Sequence, residues 1–164
     1  MKIYDYILCS GSGNRFLLFD TLRSDLSGLN IAAFAAEELH RFGVDGLLLL
    51  TRDGRGRFGM RMFNTDGSEA EMCGNGIRCF AKYVYEQGVV KKTAFSVETL
   101  AGVMRPALLI EDGAVTGVRV DMGRPFLNCE EIPVEGTGRC IDRELTVNGQ
   151  TLRFTSVLVG VPHT

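Results

Sequence analysis

Residues 71–88 read EMCGNGIRCFAKYVYEQG, and the reading of this stretch decides the fold. Ile77, Phe80, Ala81 and Val84 recur at helical spacing, which predicts a helix over 75–87 with Gly88 as its stop. A thiol, Cys73, stands directly ahead of that helix, followed by Gly-Asn-Gly. A helix beginning at Gly74 or Asn75 leaves its first backbone N–H groups without acceptors in the helix, and its dipole adds positive charge there. Anions and thiolates are favoured at such a place. Gly74 and Gly76 carry no side chains, so an anionic ligand can approach the backbone closely. The position suits a site that binds a carboxylate and moves a proton at the atom beside it. The plainer reading makes Cys73 a capping neighbour and Gly-Asn-Gly a turn. Cys79 does not share a helix face with Cys73 and reads as a core residue.

Outward from the helix, the pattern is that of an α+β chain. Residues 2–9 and 15–20 (RFLLFD) read as strands around the turn-rich SGSGN, and 47–51 (LLLLT) as a buried strand. A second helix is expected over 31–42, with Ile31, Phe34, Ala35, Leu39 and Phe42 as its stripe and Gly43 as its stop. FGMRMFN at 58–64 reads as a strand whose apolar residues are only roughly in phase, followed by a turn-rich loop, NTDGSE, at 64–69. After Gly88 the chain turns to short strands and hairpins, with turns at Glu-Asp-Gly 111–113 and Asn-Gly 148–149. The mostly polar GRPFLNCEEIPVEGTG at 123–138 separates two strand-rich parts, and the expected domains are 1–117 and 118–164. The second part has no helix to cover its apolar strands, and VLVGVPHT ends abruptly. A sheet with one apolar face must bury it. The expectation is a fragment of a longer protein, cut inside its second domain.

Composition bounds the partners. The 164 residues are 45% hydrophobic and 23% charged, with net charge −2 and no basic patch, which disfavours nucleic acid. No apolar run is long enough to span a bilayer, and the N-terminus lacks a signal-peptide core, so a cytoplasmic location is expected. Five cysteines without regular spacing, no CxxC and only two histidines argue against a disulfide framework or a structural metal site. His40, on the 31–42 helix, reads as structural or solvated.

FNTDGSEAEMCGNGIRCFAKYV at 63–84 resembles the signature of the diaminopimelate epimerases. GSGNRFLLFD at 11–20, FGVDGLLLL at 42–50, VDMGRP at 120–125 and VGVPHT at 159–164 resemble that family's other landmarks, in order. The resemblance covers the whole chain but roughly the first three-fifths of a family member. It implies two similar halves, each a curled, mostly antiparallel sheet around a central helix, with the second half truncated here. It also implies a cofactor-independent reaction in which two cysteines face the α-carbon of diaminopimelate. One removes the proton and the other returns one to the opposite face, linking the LL and meso forms for lysine and peptidoglycan synthesis.

Carried over by position, Cys73 is one catalytic thiol and His163 the group that takes its proton. Gly74 and Asn75 bind the α-carboxylate, and Asn14 and Asn64 hold other polar groups of the substrate. The competing reading of Asn14 and Asn64 is turn formation, and that of His163 a solvated terminal residue. The implied partner is a small amino acid, with neither nucleic acid nor membrane, and a homodimer is the assembly left open. Three positions depart from the family pattern. Arg15 stands where Asp is common, Gly46 where some members have a substrate-contacting Gln, and Val161 in place of the Asn before Pro-His. Two alternatives therefore stay open. One is a same-fold racemase or isomerase acting on another amino acid or small acid. The other is a catalytically incomplete half-domain, because no second cysteine here sits in a comparable helix-start setting.

Overall fold

The computed structural model of the chain describes residues 4–164. They divide into two compact units, one ending at Asp121 and the other running Met122–Thr164. The first unit contains β1 (Ile7–Gly11), β2 (Asn14–Asp20), α1 (Ile31–Phe42), β3 (Gly46–Arg52), β4 (Phe58–Phe63) and β5 (Glu69–Ala70). Then follow α2 (Gly74–Glu86), β6 (Val97–Thr99), β7 (Gly102–Met104), β8 (Pro106–Glu111) and β9 (Ala114–Val120). Strands β1-β2-β3-β4-β6-β7 form one sheet in that order, with β5 paired to β4. The pairings are antiparallel except β2 with β3 and β4 with β6. Strands β8 and β9 form a separate hairpin. The expected α+β class, with a mostly antiparallel sheet around a central helix, is what the chain adopts.

The continuous apolar runs of β2 and β3 follow from burial on both faces. Side chains alternate across a strand. Phe16, Leu18, Leu48 and Leu50 therefore point to α2, while Leu17, Phe19, Leu47 and Leu49 point to α1. The uneven pattern of β4 resolves the same way. Met60 and Met62 join the α2 side, with Phe58 packed against it, and Phe63 the α1 side.

Helix α2 is buried on two sides. Ile77, Phe80 and Val84 pack on the sheet, and Ala81 packs under the hairpin with Leu108 and Val115. Full burial of a large apolar side chain is worth on the order of 1.5–3 kcal/mol. Three such anchors therefore dominate any capping term of about 1 kcal/mol in fixing where α2 lies. Helix α1 has the expected span. Asn30 caps its start by accepting from Ala33 N–H at 3.2 Å, and Gly43 ends it in the left-handed region, φ 59°.

The differences from expectation lie at the edges. Among the described residues the first strand begins at Ile7, and residues 2 and 3 of the expected strand lie outside them. The predicted loop after β4 ends in the short strand β5, paired Met62 with Ala70. Three hairpins turn on two residues of positive φ: Ser12-Gly13, Asp112-Gly113 and Asn148-Gly149. This is the backbone geometry that matches strand twist in a tight hairpin.

The second unit holds a 3-10 turn (Cys129–Glu131) and the hairpins β10 (Arg143–Val147) with β11 (Gln150–Phe154) and β12 (Val157–Val159) with β13 (Val161–His163). Val161–His163 form β13, with the turn at Gly160. Cys129, Ile132 and Cys140 make its small core. No helix among the described residues is long and apolar enough to cross a membrane.

Candidate active site

Cys73 is the N-cap of α2. Its backbone is extended (φ −139°, ψ 115°), and its sulfur accepts from Gly76 N–H at 3.3 Å. Its carbonyl opens the helix by accepting from Ile77 N–H at 2.8 Å. The capping reading and the functional reading are thus one geometry. The N–H that the helix start leaves without a backbone acceptor is the one the sulfur accepts from. Gly76 packs tightly here. A Cβ at this position would lie 3.0 Å from Leu48 Cδ2 and 3.5 Å from Cys73 Sγ. Gly11 has a matching role at the end of β1, where a Cβ would lie 3.0 Å from the Asn75 carbonyl oxygen. Gly11 therefore lets β1 approach the backbone of the first turn of α2, and Gly76 lets that turn rest on the Leu48 side chain of β3.

That close approach brings Asn14 and Asn75 together. Asn75 Nδ2 donates to Asn14 Oδ1 at 2.8 Å, although 61 residues separate them. Arg78, one helical turn after Asn75, donates to Asn75 Oδ1 and, at 2.8 Å, to Ser12 Oγ. Asn64 lies elsewhere in the network. Its side chain donates to Ser68 Oγ at 3.0 Å, and its backbone accepts from Gly67 and donates to Ser68. It stabilises the 64–68 turn, as the turn reading expects. Gly74 is the first residue of α2. His163 is the last residue of β13, in register with Val157 and exposed.

Sequence reasoning did not find Ser12 or Arg78. The signals were present: Ser12 sits in the SGSGN turn, and Arg78 shares a helix face with Asn75 three positions away. It also did not find that Cys79, buried as expected, meets Cys9 of β1. The hydrogen bond from Cys9 and the nearby Arg78 charge lower Cys79 to about 7. That hydrogen bond and burial push the Cys9 thiol up. Both thiols line an open cavity of about 680 Å³ with Arg78, Lys82 and Tyr83.

Of the three departures, Gly46 acquires a structural reason. A Cβ there would lie 2.9 Å from Met62 Cε and 3.1 Å from Phe16 Cδ1, so a larger residue would have to push these two side chains aside. Arg15 acts through its backbone, whose N–H donates to Asp45 Oδ2 at 2.7 Å and whose carbonyl accepts from Asp45 N–H. Val161 is exposed in β13.

The sheet packed on α2 is a fold shared with solved epimerases and racemases. A hydroxyproline epimerase from Agrobacterium vitis shares it with a TM-score of 0.60 at 16% identity, over 93% of this chain and 48% of that one. The family is closer in sequence. The chain belongs to the diaminopimelate epimerase family, whose model matches residues 6–127. It is similar to the diaminopimelate epimerase of Moorella thermoacetica, 47% identical over 162 residues and 96% of this chain. It is also similar to that of Pelotomaculum thermopropionicum, 50% identical over 157 residues. The chain spans 58% and 56% of the length of these two relatives.

Proposed function

We propose that the whole protein epimerises LL-diaminopimelate to meso-diaminopimelate without a cofactor, and that this chain supplies the first of two catalytic thiols. The observation that carries the reading is Cys73 as the cap of α2, beside an Asn75 whose amide is tied to Asn14. The Cys73 thiolate takes the α-proton: the C–H bond breaks, an S–H bond forms, and the electron pair spreads onto the α-carboxylate. The α-proton of an amino acid is weakly acidic, so the developing carbanion needs donors aimed at that carboxylate. Each such preorganised donor is worth on the order of 3 kcal/mol. Free N–H groups at the start of α2 and Asn75 are the donors, Gly74 leaves the backbone accessible, and Asn14 holds another polar group of the substrate. In this reading Asn64 helps hold the substrate's polar groups, and His163 is the second catalytic residue of the chain. A second thiol, outside these 164 residues, then protonates the opposite face and inverts the centre.

In this reading residues 1–117 form the first half and 118–164 the beginning of the second. The chain by itself completes no inversion. The protein works in the cytoplasm, on the route to lysine. The test is the whole protein with LL-diaminopimelate in D2O and no added cofactor. The meso product should carry one deuterium at the inverted centre. Absence of inversion, or inversion of proline or hydroxyproline in its place, would overturn the substrate assignment.

A further inference from the structure

We propose that Arg78 is a positioning residue that sets the hydrogen-bond polarity of the site, forcing Asn14 to present an N–H donor to the ligand. The inference rests on the diaminopimelate reading only for the name of that ligand. Its logic needs only the donor inventory of three side chains. A guanidinium has five N–H donors and no acceptor. Whatever atom of Asn75 meets Arg78 must therefore be the amide oxygen, as it is here. The Asn75 nitrogen is then the atom left to reach Asn14, which it does at 2.8 Å. An N–H donor needs an acceptor, so Asn14 turns its oxygen inward. Both protons of Asn14 Nδ2 remain, and they donate to no other group among the described residues.

The relay therefore reads Arg78 to Asn75 to Asn14, with each amide locked in one of its two orientations. Without Arg78 the bonded pair can flip together, Asn14 donating to Asn75, and that state presents the Asn14 carbonyl oxygen to the ligand. A carbonyl facing a carboxylate is repulsive; an N–H facing it is a charge-assisted bond. Arg78 is held for this task by a second contact, its 2.8 Å bond to Ser12 Oγ in the β1–β2 turn. That bond also ties the turn carrying Asn14 to the helix carrying Asn75. Both bonds are made by Nη2, and it is through them that Arg78 acts on Asn14.

Two measurements test this. In the 164-residue chain, nitrogen-15 spectra should show one Asn75 side-chain N–H proton shifted downfield by the bond to Asn14, and Arg78→Met should remove most of that shift. Arg78→Lys, which keeps a donor, should retain most of it. In the whole protein, Arg78→Met should lower kcat/KM for LL-diaminopimelate about tenfold, the worth of one charge-assisted hydrogen bond. A rise in KM should account for most of that loss, with Arg78→Lys recovering part of it. Unchanged Asn75 signals in Arg78→Met, or a wild-type KM, would overturn the proposal. Asn75 signals that depend on Arg78 in a protein that ignores diaminopimelate would support the relay and sink only the substrate assignment.

Discussion

Replacing Gly76 by Ala tests whether the glycine of Cys-Gly-Asn-Gly is demanded by packing. The added methyl would sit 3.0 Å from Leu48 Cδ2, inside normal carbon contact, and 3.4 Å from Cys73 Cβ. Leu48 is fully buried between Phe16, Met62 and α2, so its methyl has little space to yield. Overpacking of this kind costs about 1–3 kcal/mol. The greater helix propensity of Ala offsets at most about 1 kcal/mol. The net expectation is a loss of about 1–2 kcal/mol, read as a drop of roughly 2–8 °C in Tm for a chain of this size. Urea unfolding of the single variant and of Gly76→Ala in a Leu48→Val background, which lacks the δ-carbons, isolates the contact. In that background the Ala should be neutral or stabilising. Equal destabilisation in both backgrounds, or none in either, would refute the argument.

Burial, and then the bond from Tyr83 OH to the buried Asp20 carboxylate at 3.0 Å, push the Tyr83 hydroxyl up to about 12. A raised folded value means this contribution is complete below the ordinary 10.0 and lost as pH rises through about 12. Tyr83→Phe should flatten the fall in urea midpoint across that window; an unchanged slope would count against it. Asn30→Ala removes the cap of α1 and should cost about 1 kcal/mol in the same assay. No change would mean the 3.2 Å bond to Ala33 contributes nothing.

What the sequence made legible was local. Helix α1 runs Ile31–Phe42 because its stripe and its glycine stop are contiguous in the chain. Helix α2 begins at Gly74 because Cys73 itself caps it. The apolar runs RFLLFD and LLLL announced buried strands. They did not announce that β2 and β3 would pair in parallel, since that register depends on α1 carrying the chain back. The site divided along the same line. Cys73 was visible through its neighbours. The tie between Asn14 and Asn75, and Arg78 behind it, spans more than sixty residues and appears only when Gly11 lets β1 rest on α2. Asn64 was visible as a turn residue, and the turn bonds it makes fit that plainer reading. The small core of the second unit was hidden because Cys129 and Cys140 lie in polar, Gly-rich sequence with no period.

The central claim is that the sulfur capping α2 moves the α-proton. The most direct test is conversion of LL- to meso-diaminopimelate by the whole protein carrying Cys73→Ala, with folding verified by its urea transition. The sheet contacts of Ile77, Phe80 and Val84 remain in that variant, so it should fold with a loss near 1 kcal/mol for the missing cap. The account predicts that conversion disappears; conversion at a wild-type rate by this folded variant would contradict it.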